Sequence, residues 1–410
     1  MHTTSNSAGI KTILICLAIG VFAVGTEGFM IAGVLPGIAS ELNVTEAVAG
    51  YLVTAFSLVY AIGSPILTVV LAPAPQRRLI GLAMLMFALG NILAAVASSY
   101  GMLMLARMVL AASAGIFMPA ALNAAGMLVA PEMRGRALAL VNCGGAIALM
   151  IGVPLGALIG EIAGWRFSFV LVAVLSGAAS FVLLSRLPEL TFRAAGTLSE
   201  RIKATRHSEI STGLLTTLLW AMGINTLYTF IAVYLRQVAG IAGEQLGIVL
   251  FGIGFTSAIG AYLGGVATDR WGAPRVRVAA IASMACIYLA IALLGTTAPL
   301  QGPLSTVALP ALMMICAGVA WIFYAAQQVR LLQLVPPVSG AMVVSLNASS
   351  MYLGFASGAV AGAAMLQGGH ITSLAWISAV CEFAGLCLLI ATAIPRWLGP
   401  DVVEPTEGKA

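Results

Sequence analysis

Glu27 and Arg107 are ionisable side chains set inside long apolar runs. A charge at bilayer depth is costly, so such a residue faces the protein interior and has a task there. Low dielectric favours a neutral carboxyl, and a nearby guanidinium favours the carboxylate. A pair that meets and separates could therefore take up and release a proton. The blander alternatives are a fixed structural pair or, for Arg107, a cation that snorkels to the interface. Glu27 lies nine residues inward from Pro36, and Arg107 seven inward from Tyr100. At the helical rise these are matching depths of roughly 10–14 Å. Glu382, the other deep carboxylate, is expected to make a structural hydrogen bond.

Helical spacing gathers a second set of side chains. Asn225, Tyr228 and Ala232 share one face, as do Trp321, Tyr324 and Gln328. Asn347 begins a small face that continues to Gly354, and Ala111, Ala114 and Met118 share the face of Arg107. Met118, Asn225, Tyr228, Trp321, Tyr324, Gln328 and Asn347 are the candidate lining of a pocket for an amphipathic organic molecule. Each is equally at home in a helix–helix core. His207 and His370 are not credible sites. Six cysteines are scattered singly, with no CxxC pair. Neither a disulfide framework nor a metal site is implied. No GxxxxGK[ST] sequence occurs, so ATP is not the expected energy source. Acids, histidines and nucleophiles are not clustered at one interface, which argues against an enzyme.

These residues need helices in lipid to hold them. The chain of 410 residues is 61% hydrophobic and 8% charged, against roughly 25% charged in an average soluble domain. Charges, prolines and glycines divide it into twelve apolar segments, at 11–35, 47–71, 79–98, 101–128, 135–160, 166–187, 211–236, 245–267, 276–296, 304–332, 339–366 and 371–395. Each is about one hydrocarbon core long as a helix. Alternation of period two is absent, which excludes barrel strands. The first segment is read as a retained helix, not a signal peptide. The longest polar stretch, Pro188 to Ile210, falls between six segments and six. The expected organisation is a bundle over 1–187, a linker over 188–210, a bundle over 211–395 and a tail over 396–410.

Thirteen basic residues fall in the loops of one side: Arg77, Arg78, Arg134, Arg136, Arg186, Arg193, Arg201, Lys203, Arg206, Arg270, Arg275, Arg277 and Arg330. The other side has two, Arg166 and Arg236. That asymmetry places the rich side and both termini in the cytoplasm. It also accounts for the net charge of +5 without nucleic acid. The halves echo each other. Gly152, Pro154, Gly156 and Gly160 in segment 5, and Gly354, Gly358 and Gly362 in segment 11, put small residues on one helical face. The segment 5 face is expected to slide against the other bundle. Pro119 and Pro310 interrupt segments 4 and 10 in what read as corresponding places.

The loop Gly265-Val266-Ala267-Thr268-Asp269-Arg270-Trp271-Gly272-Ala273-Pro274-Arg275 resembles the GxxxDRxGxxR signature of the major facilitator superfamily. Gly265 would let helices touch, Gly272 would permit a tight turn, and Asp269, Arg270 and Arg275 could pair across the gap. The first-half copy departs from the pattern, with Ala72 at the aspartate position and Pro75 at the turn glycine. Thr26-Glu27 through Leu35-Pro36, Leu105-Ala106-Arg107 through Gly115, Gly152-Val153-Pro154-Leu155-Gly156 and Gly164-Trp165-Arg166-Phe167 resemble the twelve-span drug/proton antiporter branch. The resemblance implies an all-α membrane protein of two pseudo-symmetric six-helix bundles that works by alternating access in the bacterial inner membrane, commonly as a monomer among lipids. It implies proton coupling through Glu27 and Arg107, and conformational roles for Gly152, Pro154 and Gly156. The expected function is export of a small organic compound in exchange for protons, with the proton gradient as energy source and no cofactor. The alternative is a sugar or nucleoside transporter of the same fold.

Overall fold

The structure, a computed structural model, describes residues 3–71, 73–130, 133–190, 208–297, 302–336 and 339–398. Within them twelve helices are long and apolar enough to cross a membrane, and no strand is found. They are α1 Thr3–Glu41, α2 Glu46–Val70, α3 Gln76–Ala95, α4 Tyr100–Met127, α5 Arg134–Ile162, α6 Trp165–Arg186, α7 Ser208–Tyr228, α8 Glu244–Trp271, α9 Ala273–Thr297, α10 Pro303–Gln333, α11 Gly340–Gln367 and α12 Ser373–Leu398. Their outward faces carry Val70, Phe181, Tyr262, Val307 and Val380, all exposed. An apolar surface of that extent suits lipid, not water. Most of the expected 188–210 linker lies outside the described residues, as do Ala72, His207, the basic residues Arg193, Arg201, Lys203 and Arg206, and the tail beyond Leu398.

Local chemistry sets the helix ends. Thr45 and Ser99 cap α2 and α4, their hydroxyls accepting from the N–H groups of Val48 at 3.2 Å and Met102 at 3.3 Å. Gly272 turns the chain from α8 to α9 at φ 80°, a conformation that favours glycine. The start of α1, the ends of even-numbered helices and the loops with Arg77, Arg78, Arg270 and Arg275 form one face, called here the basic face. At the opposite face Trp165 Nε1 donates to Glu41 at 2.7 Å, and Arg166 pairs with Glu41 and donates to the Ala97 carbonyl at 2.7 Å. This knot, built from the Gly164-Trp165-Arg166-Phe167 stretch, ties α1, α6 and the end of α3.

Two features depart from the expected segments. α1 continues past Pro36 to Glu41. The missing proline N–H removes one helical bond, but Leu35, Ile38 and Ala39 are buried and hold the extension. Glu27 is therefore fourteen residues from the helix end, about 21 Å. Segment 7 is not one helix either. It breaks at Thr229 and Phe230 and resumes as Ile231–Tyr234 and a π-helical turn, Leu235–Ala239. The Phe230 ring at the break packs against Gly50 of α2 and Gly362 of α11. α5 also contains a π-helical turn, Ala148–Gly152, just before Pro154. The proline ring crowds the carbonyl four residues earlier, and the wider turn relieves it.

One core gathers Leu17, Phe87, Phe117 and Phe169 of the first six helices. A second gathers Trp220, Phe230, Tyr234 and Phe323 of the last six. α2 packs along α11, and α5 packs on α8 through its Ala148–Gly152 and Val153–Ile162 parts far more than through Arg134–Ile147. Gly254 of α8 is the tightest point of that second contact, where a Cβ would stand 2.7 Å from the Cα of Met150. The small face of α5 does not lie there, contrary to expectation. Gly152, Gly156 and Gly160 face Thr26, Met30 and Val34 of α1 in the same half. Gly354, Gly358 and Gly362 of α11 face α7 in the same way. The small residues let paired helices within each half approach closely. Pro119 stands nineteen residues into α4 but Pro310 only seven into α10, so the prolines interrupt opposite ends of those helices.

Candidate functional site

α1 and α4 bring Glu27 and Arg107 together, with both side chains fully buried. Arg107 Nη1 pairs with Glu27 Oε1. Arg107 also donates from Nε to the Leu52 carbonyl of α2 at 3.3 Å, and its guanidinium lies 4.4 Å from the centre of the Phe56 ring. Two helices, α1 and α2, thus hold the α4 cation through a carboxylate, a carbonyl and a π-face. Polar capacity is left over. Glu27 Oε2, Arg107 Nη2 and Thr26 Oγ1 are buried without a hydrogen-bond partner among the described residues. Unsatisfied groups at this depth are costly, and in native proteins they mark strain or function. A carboxylate with one oxygen paired and one free can accept a proton. That would replace an ion pair by a weaker bond between a guanidinium and a neutral acid.

Phe56 also lines a small cavity of about 30 Å³ between α1, α2, α7 and α11. Its walls are mostly aromatic, from Phe29, Phe56, Tyr228, Tyr352 and Phe355, with Ser57, Asn225 and Thr229 as polar groups. The rings form a connected set across the two halves. Tyr60 of α2 stacks on Tyr352 of α11 with centroids 3.8 Å apart, and Phe29 of α1 meets Tyr228 of α7 edge-on at 6.0 Å. Offset and edge contacts of this kind add to the apolar burial. Asn225 uses its amide nitrogen on the Phe355 carbonyl at 2.7 Å. The Thr229 hydroxyl has no hydrogen-bond partner among the described residues.

Asn225 and Tyr228 line the cavity, and Ala232, which shares their spacing, does not. Trp321, Tyr324, Gln328 and Asn347 form a neighbouring group in the second half, nearer the basic face. Tyr324 stacks on Trp220 at 5.4 Å and meets Trp321 edge-on at 5.5 Å. Its hydroxyl interacts with Gln328 and Asn347, and it lies near Tyr60 and Tyr352. Asn347 accepts from Thr217 at 2.7 Å, and Gln327 donates to Thr217 at 3.0 Å. Met118 is not part of either group. It packs against the first-half core, because the α4 face that carries Arg107 turns inward to the bundle. Phe29, Phe56, Tyr60, Tyr352 and Phe355 were not singled out in the sequence. Phe56 and Tyr60 are four residues apart, and Tyr352 and Phe355 three apart, so each pair shares a helical face. That spacing was the available signal.

The loop between α8 and α9 holds its signature residues differently from expectation. Gly265 has open space where a Cβ would be, and Gly264 is the residue that approaches α10, with its Cβ position 2.9 Å from the Ile322 Cα. Asp269, Arg270 and Arg275 are exposed. Arg270 lies over Trp271 at 5.5 Å, and none of the three forms an ion pair among the described residues. The polar contacts described between the halves, Arg236 with Glu46 and Gln367 with Tyr51 at 3.5 Å, lie at the opposite face. Glu382 is fully buried in the second half, beside Gly223 and Cys381. The structural hydrogen bond expected for it is missing, since neither oxygen has a partner among the described residues.

Comparison with known proteins agrees with this architecture. The sequence profile of the Major Facilitator Superfamily matches residues 17–337. The chain is 32% identical over 388 residues to an uncharacterised MFS-type transporter of Bacillus subtilis, YbcL, covering 94% of this chain and 97% of that one. It is 33% identical over 261 residues to the chloramphenicol resistance protein of Streptomyces lividans, covering 63% of this chain and 67% of that one. Among solved structures a D-xylose-proton symporter superimposes with a TM-score of 0.77 at 14% identity, over 93% of this chain and 97% of that chain. This is an integral membrane transporter, not an enzyme, and it belongs to the major facilitator superfamily.

Proposed function

We propose that this transporter exports a small amphipathic organic compound in exchange for protons. One observation carries the reading. A fully buried carboxylate–guanidinium pair is separated by a single ring, Phe56, from an aromatic cavity between the halves. Protonation of Glu27 removes the charge that holds Arg107, and the freed guanidinium shifts the Phe56 wall of the cavity. Substrate leaves as the proton enters, and loss of the proton to the other side resets the pair. The aromatic lining suits flat or apolar cargo. The resistance protein among the relatives favours export. The excess of basic residues on one face supports a bacterial inner-membrane orientation with that face in the cytoplasm. The proton gradient supplies the energy, and no cofactor is needed.

The test uses proteoliposomes with a pH-sensitive dye inside. Candidate compounds come from a deletion and overexpression screen for altered tolerance. A compound that is cargo should drive proton movement in the wild type and not with Glu27→Gln. Equal proton movement by both proteins would remove Glu27 from the coupling step. A sugar or nucleoside that alone drives the signal would replace the substrate class.

A further inference from the structure

A second polar cavity lies in the second half, remote from Glu27 and Arg107. It is set at the basic face between α7, α9, α10 and α12, is open to its surroundings and has a volume of about 340 Å³. Val278, Leu331, Leu334 and Leu389 give it apolar walls. Its charged groups are Arg277, Arg330 and Glu209. Arg330 Nη2 donates to Glu209 Oε2 at 3.0 Å, which balances one cation. Arg277 remains. The residue is 8% exposed, and among the described residues its Nε has no hydrogen-bond partner and it forms no ion pair. Buried charges are ordinarily paired.

The geometry points to an anion-binding site for a phosphate group, carried by an anionic membrane lipid. A planar guanidinium matches two phosphate oxygens at once. Pro274 places the first turn of α9 in the cavity wall, and the free N–H groups of a helix start also favour an anion. The apolar walls and the position at one end of the bundle fit the glycerol and upper acyl chains of a lipid. Basic pockets between membrane helices on this side recur as lipid headgroup sites. Glu209 sets the strength of the site, because it competes with the phosphate for the two cations.

The full-length protein would be placed in phosphatidylcholine nanodiscs containing a minority of phosphatidylglycerol, and retained lipid read by native mass spectrometry after release into detergent. Wild type should retain phosphatidylglycerol. Arg277→Gln should bind it about tenfold more weakly, the loss expected for a charged hydrogen bond, and Arg277→Lys should fall between. Glu209→Gln should bind more tightly than wild type, and it tests the site even where Arg277→Gln fails to fold. A parallel thermal-shift series with inorganic phosphate and glycerol 3-phosphate reads the soluble source. Stabilisation by phosphatidylglycerol that depends on Arg277 supports the lipid. Stabilisation by inorganic phosphate that phosphatidylglycerol does not reproduce overturns the lipid assignment. Equal lipid retention by wild type and a folded Arg277→Gln, or weaker retention by Glu209→Gln, overturns the site.

Discussion

Replacing Arg107 by methionine isolates what the buried pair does for stability. The substitution keeps volume but leaves the Glu27 carboxylate fully buried with neither oxygen partnered. It also removes the bond to the Leu52 carbonyl and the cation over Phe56. Breaking a buried pair by removing one partner costs about 3–5 kcal/mol. Glu27→Gln is milder, about 1–3 kcal/mol, because the amide oxygen can still accept from Arg107. In the double variant no buried charge is left alone. Its cost should fall short of the sum of the two singles by about 1–3 kcal/mol. The protein supplies its own assay. Cys143, Cys286 and Cys387 are exposed and can be changed to serine, leaving Cys16, Cys316 and Cys381 buried. A thiol-reactive fluorogenic dye then reports unfolding along a denaturant series. Additivity of the two singles within about 0.5 kcal/mol, or a cost for Arg107→Met below about 1 kcal/mol, would refute the pair as a stabilising unit.

Gly254→Ala should destabilise by about 1–3 kcal/mol, since its Cβ would press on the α5 backbone near Met150; Gly265→Ala, with open space around it, should stay within about 0.5 kcal/mol in the same dye assay. Tyr352→Ala removes the ring stacked on Tyr60 and should raise the KM for cargo severalfold, with Tyr352→Phe close to wild type; equal KM values for all three proteins would take Tyr352 out of the cavity wall. Cysteines introduced one at a time at Arg270 and Arg236, on a background without native cysteines, should react with an impermeant maleimide from opposite sides of the membrane, Arg236→Cys from outside intact cells. Labelling of Arg270→Cys in intact cells would reverse the proposed orientation.

The sequence shows some of this architecture clearly and hides the rest for a physical reason. Twelve spans are legible because lipid requires long unbroken apolar helices, and charges, prolines and glycines mark where they stop. Glu27 and Arg107 are legible because deep charges are scarce, so two at similar depth invite pairing. Rotation about a helix axis is not legible in the same way. A helix surrounded by lipid and other helices is apolar on every side, and no polar stripe shows which face looks inward. Hence Gly265 reads as the contact when Gly264 makes it, and Met118 reads as pocket when it is core. The glycines of α5 read as an interface between halves when they face α1. Tyr60 and Tyr352 belong to different halves, and nothing local to either indicates that their rings meet.

The pseudo-symmetry bears on why the first half keeps a buried ion pair. Thr26 of α1 packs against Gly152 of α5, and Thr226 of α7 packs against Gly358 of α11. The helices are matched at these threonines, so the residues that follow hold matched places. They are Glu27 and Leu227, and both are buried. In the second half a leucine fills the position and lines an apolar cavity with Tyr288 and Cys316. Packing at this place does not call for a carboxylate. Apolar replacement of buried ion pairs is often neutral or stabilising. At this place the first half carries the desolvation cost of a charge, and the second half carries a leucine. The difference between the halves supports the coupling role proposed for the pair, one ring away from the cavity they share.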